Sequence, residues 1–249
     1  MTEPSMTAET PDIETSSADY ASRFAGRAGR YFLDVQDRTV TEALAGLPVG
    51  TALDVGGGHG QLVGPLTRLG WRVTVHGTDP VCEKNLRELH GQQDCEFLLG
   101  RLFDLPVPDR SFDVVVAVRL LAHVPDWQRL VGELCRVARH AVVVDYPSKS
   151  GVNALTPLLF GVKKSYERNT RTYLSFTHEE LRTEFARHGF DSRRVVRQFF
   201  LPMVAHRAAK GSAPLRWLEG LFRATGLTAL AGSPVILRLD RRASTGREK

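Results

Sequence analysis

Between residues 52 and 146 the chain alternates short β-rich runs with amphipathic helical stretches, and this alternation restricts the fold more than any other feature of its 249 residues. Ala52–Val55, Arg72–His76, Glu96–Leu99, Phe112–Val118 and Ala141–Tyr146 are strand candidates. Gln61–Leu69, Val81–Leu89 and Trp127–Ala138 carry apolar side chains at i, i+3 and i+4, the spacing of one helix face. Parallel neighbours need a crossover connection, and a helix supplies it economically, so the alternation implies a parallel sheet. Val114-Val115-Val116-Ala117-Val118 is apolar on both faces, as a central strand covered by helices on each side must be. Arg193–Phe200 and Pro234–Asp240 add two later strand candidates.

The flanking segments read differently. Residues 1–18 are acidic and rich in Ser and Thr, the composition of a flexible leader, and residues 243–249 read as a flexible tail. From Tyr20 to Leu47, Phe24, Tyr31, Phe32, Val35, Val40 and Leu44 recur at helical spacing, so one or two helices are expected there. Residues 147–176 interrupt the alternation as an insertion with a helix expected over Asn153–Lys164. Thr177 and Glu180 are spaced as a capping box for a helix reaching about His188, where Gly189 ends it. A second insertion, 201–232, contains the helical pattern Leu215, Leu218, Leu221, Phe222. A single domain over 19–242 is expected, with a helical lid at 19–47 and a ligand-binding core at 51–146.

Composition narrows the class. Hydrophobic residues make up 42% and charged residues 24%, and no apolar run approaches the roughly 18 residues of a membrane span. The N-terminus has neither the basic start nor the apolar stretch of a secretory signal, so a cytoplasmic location is expected. Cys82, Cys95 and Cys135 lack CxxC spacing, which disfavours a disulfide framework or a zinc cluster, and no metal is expected. The net charge of +5 is spread along the chain with an excess of Arg towards the C-terminus, which fits a solvated surface better than a nucleic-acid footprint.

Gly56, Gly58 and Gly60 fall at alternate positions, with Gly57 between them, after the first strand and before a helix. Such glycines let backbone approach a ligand, and the helix beyond presents unpaired N–H groups. The same pattern also makes a plain strand-to-helix turn. Asp79 closes the second strand, where a carboxylate can accept from both hydroxyls of a ribose; followed by Pro80, it is equally placed to cap the next helix. The spacing GxGxG differs from the GxGxxG of dinucleotide-binding dehydrogenases, since Gln61 stands where their third glycine would be.

These residues, in this order, resemble the class I methyltransferase family, in its small-molecule (type 11-like) branch, from about Ala52 to Tyr146. Leu53-Asp54-Val55-Gly56-Gly57-Gly58-His59-Gly60 is similar to the family's first motif, Asp79 to its ribose acid, Leu105-Pro106 with Ser111-Phe112-Asp113-Val114-Val115 to the approach to its fourth strand, and Leu121-Ala122-His123-Val124-Pro125-Asp126 to the segment after it. The resemblance implies a Rossmann-like α/β fold, a seven-stranded, mostly parallel sheet with helices on both faces, and S-adenosylmethionine as cofactor. It implies that the first motif holds the methionine moiety, with Asp54 reaching its amino group. Where the family often has Gly-Asp for adenine, this chain has Gly100-Arg101, with Asp104 the acid nearby, leaving Arg101 stacking, Leu102 backbone or a shifted register as the alternatives for adenine.

The sulfonium methyl is already activated, so alignment of the acceptor and exclusion of water are the main tasks. The implied reaction is in-line transfer to a small-molecule acceptor, apolar or aromatic in character, with O-methylation favoured over N or C. His123 is the candidate general base, or a structural histidine. Tyr20 and Arg23 are candidate cofactor-carboxylate contacts from the lid, and Arg119 a further contact at the fourth strand's end. Tyr146, Tyr166, Arg168 and Arg171 are candidate acceptor contacts. Nucleic acid is disfavoured, because Arg119-Leu120-Leu121-Ala122 stands where base-amine methyltransferases carry Asn/Asp-Pro-Pro-aromatic, and no basic run is interleaved with aromatics. An RNA methyltransferase and a methyltransferase-fold binding or regulatory protein without turnover are the alternatives. Residues 199–230 mix apolar and basic side chains and could line a pocket, touch a membrane surface, form a homodimer contact or simply pack on the sheet.

Overall fold

The computed structural model describes residues 24–58, 60–90, 95–150 and 173–243. Its strands are β1 (Thr51–Val55), β2 (Arg72–Gly77), β3 (Glu96–Leu99), β4 (Phe112–Ala117), β5 (Ala138–Tyr146), β6 (Phe190–Phe199) and β7 (Ser233–Arg241). Its helices are α1 (Gly26–Leu44), α2 (Val63–Arg68), α3 (Pro80–His90), α4 (Trp127–Val137), α5 (His178–Arg187), α6 (Met203–Ala208), α7 (Ala213–Ala224) and α8 (Leu227–Ala231). The strands form one sheet in the order β3-β2-β1-β4-β5-β7-β6. β1 to β5 are mutually parallel, and only β7 is reversed, pairing antiparallel with β5 and β6. The expected α/β sheet is therefore present, and β6 points the same way as β5.

The two-residue period of the strands separates two cores. Leu53 and Val55, Val115 and Ala117, Val142 and Val144 face one side and pack with Leu130, Val131 and Leu134 of α4 and Leu181 and Phe185 of α5. Ala52, Val114 and Val116, Ala141 and Val143 face the other, against Val40, Ala43 and Leu44 of α1 and Leu66 of α2. Each such fully buried aliphatic side chain contributes about 1.5–3 kcal/mol, so the central strands hold the domain together. A smaller cluster of Phe32, Val35 and Phe199, with Met203 against it, joins α1 to the end of β6 and to α6.

Local signals account for the helix ends. The capping box is present: Thr177 Oγ1 accepts from the Glu180 N–H at 3.1 Å while Glu180 Oε2 accepts from the Thr177 N–H at 2.7 Å. At the far end of α1, Arg238 donates to the Ala43 and Ala45 carbonyls at 3.2 and 2.9 Å and pairs with Asp240, which ties the helix end to β7.

Several boundaries differ from the sequence expectation. The described part of 19–47 is one helix, α1, and α2 is shorter than Gln61–Leu69 because the turn holds the chain until Val63, whose N–H donates to Gly60 O. β5 starts at Ala138, pairing with Phe112 across a register shift that sequence spacing does not reveal. The insertion after β6 forms three helices, and α7 buries Glu219 beside its half-buried Leu215, Leu218 and Phe222 while Leu221 is exposed. The leader 1–18, the helix over 153–164, His59 and most of the tail lie outside the described residues.

Candidate functional site

The strand order reverses between β1 and β4, so the loops leaving their carboxyl ends diverge and open a crevice, the usual ligand position in open α/β sheets. The glycine turn occupies that edge. Gly56, Gly58 and Gly60 have φ of 66°, 52° and 64°, the left-handed region where a side chain is strained. Gly57 is constrained by space instead: a Cβ there would stand 2.5 Å from Asp54 Oδ2 and 2.7 Å from Val75 Cγ1. The turn closes through the Gly60 N–H on Gly57 O at 2.8 Å and runs directly into α2.

Beneath the turn lies a buried electrostatic cluster. Asp54, the penultimate residue of β1, faces the α1 side of the sheet, and burial pushes its carboxyl up to about 7, opposed by the Arg119 charge. Asp145, on the same side of β5, is raised to about 6 by burial, opposed by the Arg119 N–H, which Asp145 Oδ1 accepts at 2.5 Å. Arg119 sits just past β4 with φ 61°, a conformation costing a non-glycine residue about 1–2 kcal/mol. Its guanidinium donates to Gln61 Oε1 at 2.6 Å and to Gln36 Oε1 of α1, and it lies 4.0 Å from the centroid of the Phe24 ring. Arg119 therefore clamps α1, the glycine turn and the ends of β4 and β5 around two carboxylates.

The raised carboxyls have a consequence for stability. The folded chain retains protons at Asp54 that the unfolded chain, with an ordinary value near 3.8, releases. The stability from this group is complete below about pH 4 and is lost as pH rises through about 7. Melting curves of wild type and Asp54→Asn across this range are expected to show the wild type losing more stability with rising pH; parallel curves would contradict the burial of this charge.

The remaining candidates are spread around the same edge. Asp79 follows β2, half-buried, and its Oδ1 accepts from the Val81 N–H at 2.8 Å, so it caps α3, with Pro80 exposed beside it. Arg101 is exposed after β3 in a bridge with Asp104, whereas the Leu102 side chain is buried in the core. His123 is half-buried in a single 3-10 turn (Leu121–His123) after β4, its ring 5.6 Å from that of Tyr173. Tyr146 requires a correction: it is 1% exposed, packed in the core on the α4–α5 side, with its hydroxyl 3.3 Å from His178 Nδ1. The two-residue period that turns Asp145 towards α1 turns its neighbour Tyr146 away from it. Tyr20, Arg23, Tyr166, Arg168 and Arg171 lie outside the described residues. Asp145, Gln36 and Gln61 are additions that motif reading missed. Among the described residues, no three His, Cys, Asp or Glu side chains gather as a metal site would, and no helix is long and apolar enough to cross a membrane.

Residues 53–143, from β1 into β5, match the family described as methyltransferase domain. Over this stretch, about a third of its length, the chain is similar to methyltransferase domains. It is 36% identical over 93 residues to uncharacterized methyltransferases of Mycobacterium sp. strains KMS and MCS. That match covers 36% of this chain and 34% of theirs, about a third of the relatives' length. Among solved structures, the fold is similar to a Thermotoga maritima S-adenosylmethionine-dependent methyltransferase described as a possible histamine N-methyltransferase, with TM-score 0.66 and 17% identity, covering 93% of this chain and 99% of that one. It is also similar to the magnesium protoporphyrin IX methyltransferase of Synechocystis with bound S-adenosylmethionine, with TM-score 0.63 and 14% identity, covering 97% and 100%. At these identities the likeness establishes a shared methyltransferase fold.

Proposed function

We propose that the chain is an S-adenosylmethionine-dependent methyltransferase acting on a small-molecule acceptor, with a hydroxyl oxygen as the favoured nucleophile. The observation that carries this reading is the buried Asp54 carboxylate directly under Gly57 at the switch point of the sheet. A Cβ would fill the cradle there, and a buried acid at the end of β1 matches a cationic amino group in charge.

The fit extends along the edge. The turn from Gly56 to Gly60 presents backbone to the methionine portion, and Arg119 holds that turn against α1. Asp79 has one oxygen on the Val81 N–H, and the ribose diol would use the other. Adenine would lie against the backbone at Leu102, with the exposed Arg101 stacked over its face. The bound cofactor supplies an activated methyl group on a sulfonium. The protein's tasks are then to set the acceptor oxygen in line with the methyl–sulfur bond and to accept its proton, which is assigned to His123 at the end of β4. Arg168, Arg171 and Tyr166 remain candidates for acceptor contacts, as Tyr20 and Arg23 do for the cofactor carboxylate.

Titration calorimetry with S-adenosylmethionine tests the reading. Binding is expected, and Asp79→Asn, which keeps an acceptor for the Val81 N–H but loses the charge, should weaken it by about tenfold. Failure of the wild-type chain to bind would end the proposal. A methyl-transfer screen over phenols, carboxylic acids and amines then names the acceptor atom.

A further inference from the structure

We propose that the insertion between β6 and β7 is a docking surface for an anionic phospholipid bilayer, which it meets through the outer faces of α7 and α8. Trp217 is 72% and Leu230 77% exposed, and Leu221 and Leu227 are exposed beside them. Helix geometry accounts for this arrangement. Glu219 is turned inward, and the residues two before and two after it, Trp217 and Leu221, fall about 200° away on the outside of α7. The apolar side chains are thus presented to the exterior while the carboxylate is enclosed.

Charge selects the occupant. Between Phe200 and Gly232 the basic side chains Arg207, Lys210, Arg216 and Arg223 are all exposed. The single acidic residue of that span, Glu219, is 1% exposed and engaged by the Phe200 and Leu201 N–H groups and by His206. Trp217, Leu221, Leu227 and Leu230 are thus flanked by exposed cations, of which Arg216 also lies over the Tyr31 ring and Arg223 donates to the Gln198 carbonyl, and no exposed acid of the span stands among them to repel lipid phosphate. Short helices with an indole and leucines among arginines and lysines suit the headgroup boundary of a bilayer. A second copy of the chain would bring the same cations against themselves, a repulsion that anionic lipid replaces with attraction.

The insertion also stands in a telling place. β6 runs parallel to β5, and Phe199 pairs with Ser233 beside the end of β5, so α6 to α8 rise from the carboxyl edge that carries the glycine turn. Gly211 packs against Ala28 of α1, the helix whose Gln36 receives Arg119. Docking through α7 and α8 would bring the edge with the crevice close to lipid, which suits a methyl acceptor dissolved in the membrane. That last clause rests on the methyltransferase reading; the docking itself does not.

Flotation of the full chain with vesicles tests the proposal without any turnover. Binding is expected to vesicles of phosphatidylcholine mixed with phosphatidylglycerol, to be much weaker to phosphatidylcholine alone, and to fall as salt is added. Lys210→Gln with Arg216→Gln should weaken it by about thirtyfold, and Trp217→Ser with Leu230→Ser by about tenfold or more. Both pairs alter exposed side chains, and melting temperatures check that the fold is intact. Trp71 is buried and Trp127 half-buried, so a blue shift of fluorescence on adding vesicles reports Trp217 in the unaltered protein. Absence of binding to the mixed vesicles at low salt overturns the proposal. So does binding that Trp217→Ser with Leu230→Ser leaves unchanged, or a dimer in sedimentation that this pair dissociates while the wild type ignores vesicles.

Discussion

Replacement of Gly57 by valine is expected to reduce S-adenosylmethionine binding by at least about a hundredfold, because a displacement of about 1 Å at a positioned site costs that much. The added Cβ would stand 2.5 Å from Asp54 Oδ2 on one side and 2.7 Å from Val75 Cγ1 on the other. Neither neighbour is a flexible surface group: Asp54 is 3% exposed, and Val75 is held in the core between the sheet and α2. The turn itself must move, outwards into the crevice. Overpacking of this kind also costs about 1–3 kcal/mol of stability, so the melting temperature should fall modestly while binding nearly disappears. Calorimetry and melting on the same samples separate the two effects. Binding within about threefold of wild type would show that the turn is not the cofactor cradle.

The parts of this site that lie within one stretch of sequence were legible, and the parts that meet across the fold were not. Asp54 and the glycines are neighbours in the chain, and the β-rich run before them and the helical stretch after them mark the strand-to-helix turn. Arg119 was recognisable as a residue leaving the fourth strand, but its partners, Gln36 and Asp145, are distant in sequence and leave no periodic trace. Asp145 did leave one local signal, a carboxylate inside the apolar run Ala141–Tyr146. Period-2 alternation would have placed it with Ala141 and Val143, and Tyr146 with Val142 and Val144, so the core position of Tyr146 could have been inferred. The capping box was readable because Thr177 and Glu180 satisfy each other without outside help. α7 was legible in part. Leu215, Leu218 and Phe222 do lie half-buried on the face of Glu219, which the two backbone donors at the end of β6 draw inward, but Leu221 is left exposed.

Glu219→Ala is accordingly expected to be the most destabilising single change in the insertion. Its carboxylate accepts from the Phe200 N–H at 3.1 Å and the Leu201 N–H at 2.7 Å, and it lies 3.1 Å from His206 Nε2. Both side chains are almost completely buried, and the His206 ring is enclosed by Tyr31, Phe32 and Phe199. Alanine would leave three polar groups without their partner, His206 fully buried and the Phe200 and Leu201 N–H groups partly so, and removal of one partner from such a set costs about 3–5 kcal/mol. For a chain of this size the melting temperature should drop by about 10 °C. Glu219→Gln, which retains one acceptor oxygen, should lose less. Hydrogen exchange distinguishes how the loss is distributed: early exposure of 199–232 with the sheet still protected would mark the insertion as a separately melting unit. A melting temperature within about 2 °C of wild type would mean that the buried carboxylate does not hold α6, α7 and β6 together. The same substitution links stability to the surface above it, because α7 presents Trp217 outward only while Glu219 is held inside.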